Sequence, residues 1–173
     1  MYYSEIKECD IANGPGVRVS LFVSGCTHHC KGCFNEMTWD FRYGTAFGED
    51  TIKKIITLMA PSYIAGLTLL GGEPLEYINQ QGLLPLLREV KKVYPDKTIW
   101  CYTGYLYDRD IRENFCPKWK ETEEILSYLD VVVDGEFIEE RKDISLRFRG
   151  SSNQRIIDVK KTRLTGEIAY WEG

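Results

Sequence analysis

The sequence predicts an α/β fold built on a largely parallel sheet. Short runs of apolar, β-branched residues alternate along the chain with segments whose apolar residues recur at helical spacing. Strands and helices that alternate in this way form βα units, whose strands lie parallel in one sheet. The 173-residue chain shows no repeat, linker or low-complexity segment, so we expect a single domain over residues 1–173.

The first half of the chain contains two strand–helix units. Residues 17–24, V-R-V-S-L-F-V-S, read as a buried strand that leads directly into a cysteine-rich loop. Residues 50–60 form an amphipathic helix, because four apolar residues recur at helical spacing: Ile52, Ile55, Ile56 and Met59. Residues 67–70 form a second strand, which ends at a pair of glycines. Residues 78–94 form a second helix, whose apolar face contains Leu83, Leu84, Leu87, Val90 and Val93.

The second half continues the same alternation. Residues 97–102 are expected to form a third strand, residues 119–129 a helix and residues 131–133 a fourth strand. Residues 155–159 are expected to add a fifth. From about residue 160 we expect a C-terminal extension that forms an edge strand or hairpin, because L-T-G-E-I-A-Y-W alternates weakly.

Four of the predicted strands lead directly into loops that are rich in glycine, cysteine or acidic residues. These are the cysteine loop, Gly71-Gly72-Glu73-Pro74, Thr103-Gly104-Tyr105 and Asp134-Gly135-Glu136. One glycine after a strand is an ordinary turn residue. Because the carboxyl ends of parallel strands meet at one edge of a sheet, the four loops together predict an active site there.

Three cysteines, Cys26, Cys30 and Cys33, stand close together in C-T-H-H-C-K-G-C. Three thiolates in one loop can bind three corners of a cubane iron–sulfur cluster and leave the fourth iron open for chemistry. A zinc site, with His28 or His29 as its fourth ligand, and cysteines with no ligand role remain as alternatives. The spacing favours the open cluster. Cys101, by contrast, lies in an apolar run and is expected in the core.

Composition limits the partners and the compartment. The chain has 43% hydrophobic and 28% charged residues and a net charge of −4, which does not indicate a nucleic-acid partner. The only concentrated basic stretch, residues 155–163, is expected at a solvated strand edge or in the tail. Without a signal peptide or an apolar run long enough to span a membrane, we expect a cytoplasmic protein with no membrane partner, in which disulfides are rare.

Several motifs occur together along residues 5–160. C-T-H-H-C-K-G-C at 26–33 is followed by G-G-E-P-L at 71–75, Y-T-G-Y at 102–105, V-V-D-G-E-F at 132–137 and R-G-S-S-N-Q-R at 149–155. The first two resemble the radical S-adenosylmethionine (SAM) superfamily. D-G-E-F and R-G-S-S-N-Q are more selective, and with them the chain resembles the activating enzymes of the anaerobic ribonucleoside-triphosphate reductase.

This resemblance implies a fold and a reaction. The chain is too short for a complete eight-stranded barrel, which needs about 200 residues or more, so we expect an incomplete (β/α) barrel of the radical SAM type, open on one side. The family's cysteines bind one [4Fe–4S] cluster, whose open iron chelates SAM. Reductive cleavage then produces a 5′-deoxyadenosyl radical, which generates a glycyl radical on the reductase. The cofactors perform this chemistry, and no side chain is assigned a catalytic role.

The resemblance also assigns residues. Cys26, Cys30 and Cys33 are the cluster ligands. The SAM-binding residues are Gly32, Cys33 and Phe34 beside the adenine and Gly71, Gly72 and Glu73 beside the methionine end. The Glu73 carboxylate would accept hydrogen bonds from the SAM ammonium. His28 and His29 are expected to lie in or beside the cluster loop without a catalytic role, and Arg18 to pair with a carboxylate, either of SAM or partner or within the fold.

The implied partners are the glycyl radical loop of the reductase's large subunit and an electron donor such as flavodoxin. Two alternatives stay within radical SAM enzymes: activation of another glycyl radical enzyme, such as pyruvate formate-lyase, and a small-molecule reaction. Two belong to other classes: a non-catalytic zinc-binding module, and an electron-transfer protein, which would need a fourth cysteine ligand.

Overall fold

The computed structural model describes residues 1–173 and contains seven strands. They are β1 (Tyr2–Asp10), β2 (Val17–Val23), β3 (Thr45–Ala46), β4 (Ile64–Gly71), β5 (Thr98–Tyr102), β6 (Val131–Asp134) and β7 (Arg155–Asp158). All seven form one sheet in the order β3-β1-β2-β4-β5-β6-β7. The four central strands, β2, β4, β5 and β6, are parallel, and the outer strands pair antiparallel. The α/β class and the parallel centre are therefore as predicted, and the sheet stays open between β3 and β7.

Five α-helices accompany the sheet: α1 (Glu49–Leu58), α2 (Tyr77–Val93), α3 (Cys116–Lys118), α4 (Lys120–Tyr128) and α5 (Val159–Thr165). A π-helix spans Tyr107–Phe115, and 3₁₀ turns span Glu36–Trp39 and Glu139–Arg141. Helices α1, α2 and α4 confirm the three predicted from apolar spacing. No helix has the length and apolar character needed to cross a membrane.

The core lies between the sheet and helices α1, α2 and α4. It contains 24 buried residues, most of them from the central strands and these helices and others from the π-helix, β7 and α5. Burial is continuous from Arg18 to Val23 along β2, as expected for a parallel strand covered on both faces. Cys101, on β5, is fully buried in this core, which confirms its predicted structural role.

The elements that were not predicted include β1, β3 and the π-helix, besides the two 3₁₀ turns and the short helix α3. Strand β1 has the sequence Y-Y-S-E-I-K-E-C-D and is mostly exposed or half-buried, so it lacks a hydrophobic period. Its antiparallel pairing with β2, from Tyr3 opposite Val23 to Asp10 opposite Arg18, establishes it as a strand. The π-helix is similarly polar, with only Tyr107 and Ile111 buried. Hydrophobic periodicity does not predict an element that is stabilised by tertiary contacts rather than by a buried apolar face.

The C-terminal tail matches the predicted edge strand or hairpin only in its last residues, because a helix comes first. The chain enters α5 directly after β7, and Gly166, the residue that caps the C-terminus of α5, has a left-handed φ of 80°. The chain then returns to β7 through a single bridge between Tyr170 and Ile157. The Trp171 ring packs edge-on against Trp100 at 4.9 Å and against Phe148 at 6.0 Å. The tail therefore covers the exposed edge of β7 and completes an aromatic cluster.

Replacing Trp171 with alanine should lower the free energy of unfolding by about 1–2 kcal/mol, because the half-buried indole ring would no longer pack against Trp100 and Phe148. Urea unfolding followed by circular dichroism measures the change. The neighbouring Tyr170, whose side chain is 58% exposed, provides the matched control, and Tyr170→Ala should change stability far less. Equal effects of the two substitutions would contradict a specific packing role for Trp171.

Candidate functional site

A cleft of about 440 Å³ lies at the carboxyl ends of the four parallel strands. Each of the four predicted loops contributes to its wall, and residues 146–154 supply a further side. The predicted convergence of these loops at one edge of the sheet is thus present in the structure. The lining residues with a predicted or sequence-highlighted role are Cys26, His28, Cys30, Cys33, Phe34, Gly71, Gly72, Glu73, Arg149, Gly150 and Gln154.

The glycine pair after β4 lets two loops pack backbone against backbone. Gly71 has a left-handed φ of 105°, and a Cβ there would come within 2.6 Å of the Val23 carbonyl. A Cβ on Gly72 would come within 2.7 Å of the Gly25 carbonyl. The amide of Gly72 donates to Val23 O at 2.7 Å, and the amide of Glu73 donates to Gly25 O at 2.8 Å. Only glycine permits this approach, which holds β4 against the start of the cysteine loop.

All three cysteines of the loop are free and line the cleft, and no other cysteine does so. Burial raises the pKa of the Cys26 thiol to about 12. A thiol in this position stays protonated near neutral pH unless a metal binds it, since coordination removes the proton outright. The donor set therefore suits a metal group with three thiolate ligands, and the remaining space in the cleft leaves room for a non-protein ligand.

Glu73 is buried and accepts four hydrogen bonds. Its Oε1 accepts from the Leu75 amide at 2.9 Å and from the Thr103 hydroxyl at 2.8 Å. Its Oε2 accepts from the Gly104 amide at 2.8 Å and lies 2.8 Å from Nε2 of His28. These contacts use the acceptor sites of an ionised carboxylate. Glu73 therefore joins the β4 loop to the β5 loop and to the cysteine loop, a role that sequence reasoning did not assign to it.

His28 extends this link to the loop after β6. Its Nδ1 lies 3.0 Å from Oε1 of Glu136, and its ring packs on Tyr105 with the centroids 4.4 Å apart. Burial disfavours the charged imidazole, but the two carboxylates outweigh burial and raise the pKa of His28 to about 9. His29 lies outside the cleft lining, and its ring stacks on Trp39 at 4.4 Å.

These contacts bear on the zinc alternative. Both ring nitrogens of His28 already face carboxylates, and His29 points away to Trp39, so neither histidine is directed at the cysteines as a fourth ligand. The orientation of the two histidines thus gives no support to a Cys₃His zinc site.

Of the three residues expected beside the adenine, Cys33 and Phe34 line the cleft and Gly32 does not. Phe34 lines the cleft, is 66% exposed and lies 5.2 Å from the Phe137 ring. Gly32 does not line the cleft. It has a left-handed φ of 73°, and a Cβ there would come within 2.9 Å of the Glu139 carboxylate. A tight turn under Glu139 explains this glycine directly.

The R-G-S-S-N-Q block forms one wall of the cleft. The side chain of Gln154 accepts hydrogen bonds from the amides of Gly150 and Ser151 and donates to Gly135 O at 3.0 Å. The Ser151 hydroxyl accepts from the Ile138 amide at 3.2 Å. The block thereby fastens the loop after β6.

An ion-pair cluster beside this wall was not predicted. Arg155 donates two hydrogen bonds to the buried Asp134 and also contacts Asp108. Asp134 additionally accepts from the Tyr107 amide at 2.7 Å, which connects β6 to the π-helix. Arg155 begins β7 directly after a polar block, and nothing in the sequence pattern indicates its acidic partners. Only the fold identifies them.

Arg18 does not pair with a carboxylate, contrary to both expectations. It is fully buried outside the cleft lining and donates to Thr68, Thr98, Pro15 and Leu67, all through neutral oxygens. Burial lowers its pKa to about 10. The Arg18 side chain thus links β2 to β4 and β5. Its guanidinium can be buried because carbonyl and hydroxyl oxygens replace the water molecules that it loses.

Comparison with known proteins agrees with this geometry. A family described as a 4Fe-4S single cluster domain matches residues 12–157, which include all three cysteines and every loop of the cleft. This match places the chain in the class of single-cluster iron–sulfur proteins.

Individual relatives narrow the class. The anaerobic ribonucleoside-triphosphate reductase-activating protein of Haemophilus influenzae is 44% identical over 158 residues, covering 90% of this chain and 97% of the relative. Those of phage T4 and Vibrio cholerae are each 42% identical, again over 90% of this chain and over 93% and 97% of their own lengths. The chain belongs to the family of anaerobic ribonucleoside-triphosphate reductase-activating proteins.

Proposed function

We propose that this protein is a radical SAM activase that generates a glycyl radical on the anaerobic ribonucleoside-triphosphate reductase. The observation that carries the proposal is the set of three free cysteines on one loop, facing a cleft that contains no fourth. A [4Fe–4S] cluster bound there keeps one iron without a protein ligand. When bound, the cluster supplies the electron that cleaves SAM to methionine and a 5′-deoxyadenosyl radical.

The protein's own residues bind and orient the reactants. Cys26, Cys30 and Cys33 hold the cluster. The Gly71-Gly72 turn brings backbone close to the cysteine loop, where the methionine end of SAM would bind. Because Glu73 already accepts from four donors, we assign it the task of holding this turn against the cluster loop, and the SAM ammonium would have to displace one of those donors to bind its carboxylate.

The remaining cleft wall suits a nucleoside. Phe34 offers an exposed ring face beside Phe137, and Leu146 and Phe148 line the cleft on the side of the R-G-S-S-N-Q block. An apolar wall with a few polar groups is typical of a small-molecule site and excludes water from a reactive centre. The partner in the reaction is the large subunit of the reductase, and a one-electron donor such as flavodoxin would reduce the cluster.

Electron paramagnetic resonance of the anaerobically reconstituted and reduced protein tests the proposal. A [4Fe–4S]⁺ signal that changes when SAM is added, together with release of 5′-deoxyadenosine, is the expected result. Incubation with the reductase should then yield a glycyl radical signal. A protein that binds no iron, or whose cluster signal is indifferent to SAM, would contradict the mechanism. The same assay with pyruvate formate-lyase as acceptor separates the two activases.

A further inference from the structure

Besides residues 155–163, a second stretch of this acidic chain concentrates positive charge, and it was not recognised from the sequence. Residues 141–149, R-K-D-I-S-L-R-F-R, contain four basic residues and a single acidic one, although the whole chain has a net charge of −4. We call these residues the basic lip. Its cations, Arg141, Lys142, Arg147 and Arg149, take part in none of the salt bridges of the structure.

The one acidic residue of the basic lip is used inside the loop. The Asp143 carboxylate accepts hydrogen bonds from the amide and the hydroxyl of Ser145, at 2.9 and 2.6 Å. Backbone bonds close the loop at its base, from Asp143 N to Gly150 O and from Ser152 N to Arg141 O. The basic lip is therefore a closed, hydrogen-bonded loop whose four cations make no salt bridge, while Glu139 and Glu140, which directly precede it, pair with Lys31.

The basic lip has two faces. Its inner side supplies Leu146, Phe148 and Arg149 to the wall of the cleft. Its outer side exposes Arg141, Arg147 and Ile144, and the Ile144 side chain is 94% exposed. Lys142 lies over the exposed ring of Phe34, with its Nζ 5.0 Å from the ring centroid. Unpaired cations and exposed apolar side chains thus stand together at the rim of the cleft.

We propose that the basic lip is the docking surface for an acidic patch on the protein whose loop enters the cleft. This inference rests on the proposed function, which makes the reductase that protein. When a loop of the partner protein enters the cleft, the partner surface around that loop comes against the rim. There the unpaired arginines would contact acidic side chains of the partner, and Ile144 would be buried. Rim charges of this kind act mainly on the rate of association and on its salt dependence. The exposed Ile144 beside these cations fits a protein surface better than a nucleic-acid backbone, which offers charge without apolar contact.

The test is the association rate between the reconstituted protein and the anaerobic ribonucleoside-triphosphate reductase from the same genome, measured by biolayer interferometry under anaerobic conditions. The double variant Arg141→Glu/Arg147→Glu should associate about tenfold more slowly at low salt, and the difference should shrink at about 0.5 M salt. Ile144→Ser should instead accelerate dissociation, since it removes buried apolar contact. The matched control is Lys53→Glu/Lys54→Glu on the exposed side of α1, which changes the net charge equally and should bind as the wild type does.

SAM cleavage without the reductase separates this proposal from the proposed function. Neither Arg141 nor Arg147 lines the cleft, so the double variant should release 5′-deoxyadenosine at the wild-type rate. Wild-type binding by the double variant, or equal losses in the control, overturns the docking surface and leaves the activase intact. Binding of wild-type protein to phosphatidylserine vesicles or to a DNA duplex through the lip, without binding to the reductase, overturns it as well. A wild-type protein that cleaves no SAM refutes the proposed function itself.

Discussion

Replacing Cys30 with alanine is expected to abolish iron–sulfur cluster assembly and, with it, SAM cleavage. The cleft offers three cysteines and no spare thiol, because Cys9, Cys101 and Cys116 do not line it. His28 cannot move in as a substitute without giving up its contacts with Glu73 and Glu136. Loss of one ligand therefore leaves a cluster with two thiolates, which we expect to be lost on desalting.

Iron and sulfide content after anaerobic reconstitution, followed by 5′-deoxyadenosine release, measures this prediction. Cys9→Ala is the matched control, since Cys9 lies exposed on β1 and should be dispensable for both. Near-normal iron content and near-normal SAM cleavage in Cys30→Ala would contradict the proposed mechanism. Loss in both variants would point instead to a general sensitivity of the protein to cysteine removal.

The second large effect is expected at Glu73. Glu73→Ala leaves two backbone amides, a hydroxyl and the His28 ring without their acceptor in a buried site. Breaking a buried charged network on one side typically costs about 3–5 kcal/mol, so we expect a fall of that order in the free energy of unfolding. The cysteine loop should lose its attachment to β4 and β5, and cluster content should fall together with stability.

Two further variants locate the origin of that effect. Glu73→Gln keeps the shape of the side chain, but either orientation of the amide points its NH₂ group at a hydrogen-bond donor. The free energy of unfolding should therefore fall by about 1–3 kcal/mol. Glu136→Gln removes the charge on the opposite side of His28, where the carboxylate is 55% exposed, and should cost less than about 1 kcal/mol. Anaerobic urea unfolding of cluster-free and cluster-loaded protein provides the comparison. Equal losses at Glu73 and Glu136 would refute the special role of the buried carboxylate.

The fold class and the composition of the site could be predicted because their signals are local. Helical spacing indicates α1, α2 and α4, and β-branched runs indicate β2, β4, β5 and β6. The rule that parallel strands present their carboxyl ends at one edge then places the four loops together. The signal fails for β1, where alternating burial is absent, and for the first part of the tail, where α5 precedes the short pairing with β7.

The parallel α/β centre and the three clustered thiols follow from spacing along the chain, which the amino-acid sequence contains in full. The partners of the buried polar side chains depend instead on how the strands and loops pack together. Glu73 with His28, Arg155 with Asp134, and Arg18 with neutral oxygens are each pairs distant in sequence. A buried polar group must find a partner, but which partner depends on the atoms that folding brings within about 3 Å, and no local pattern records that choice.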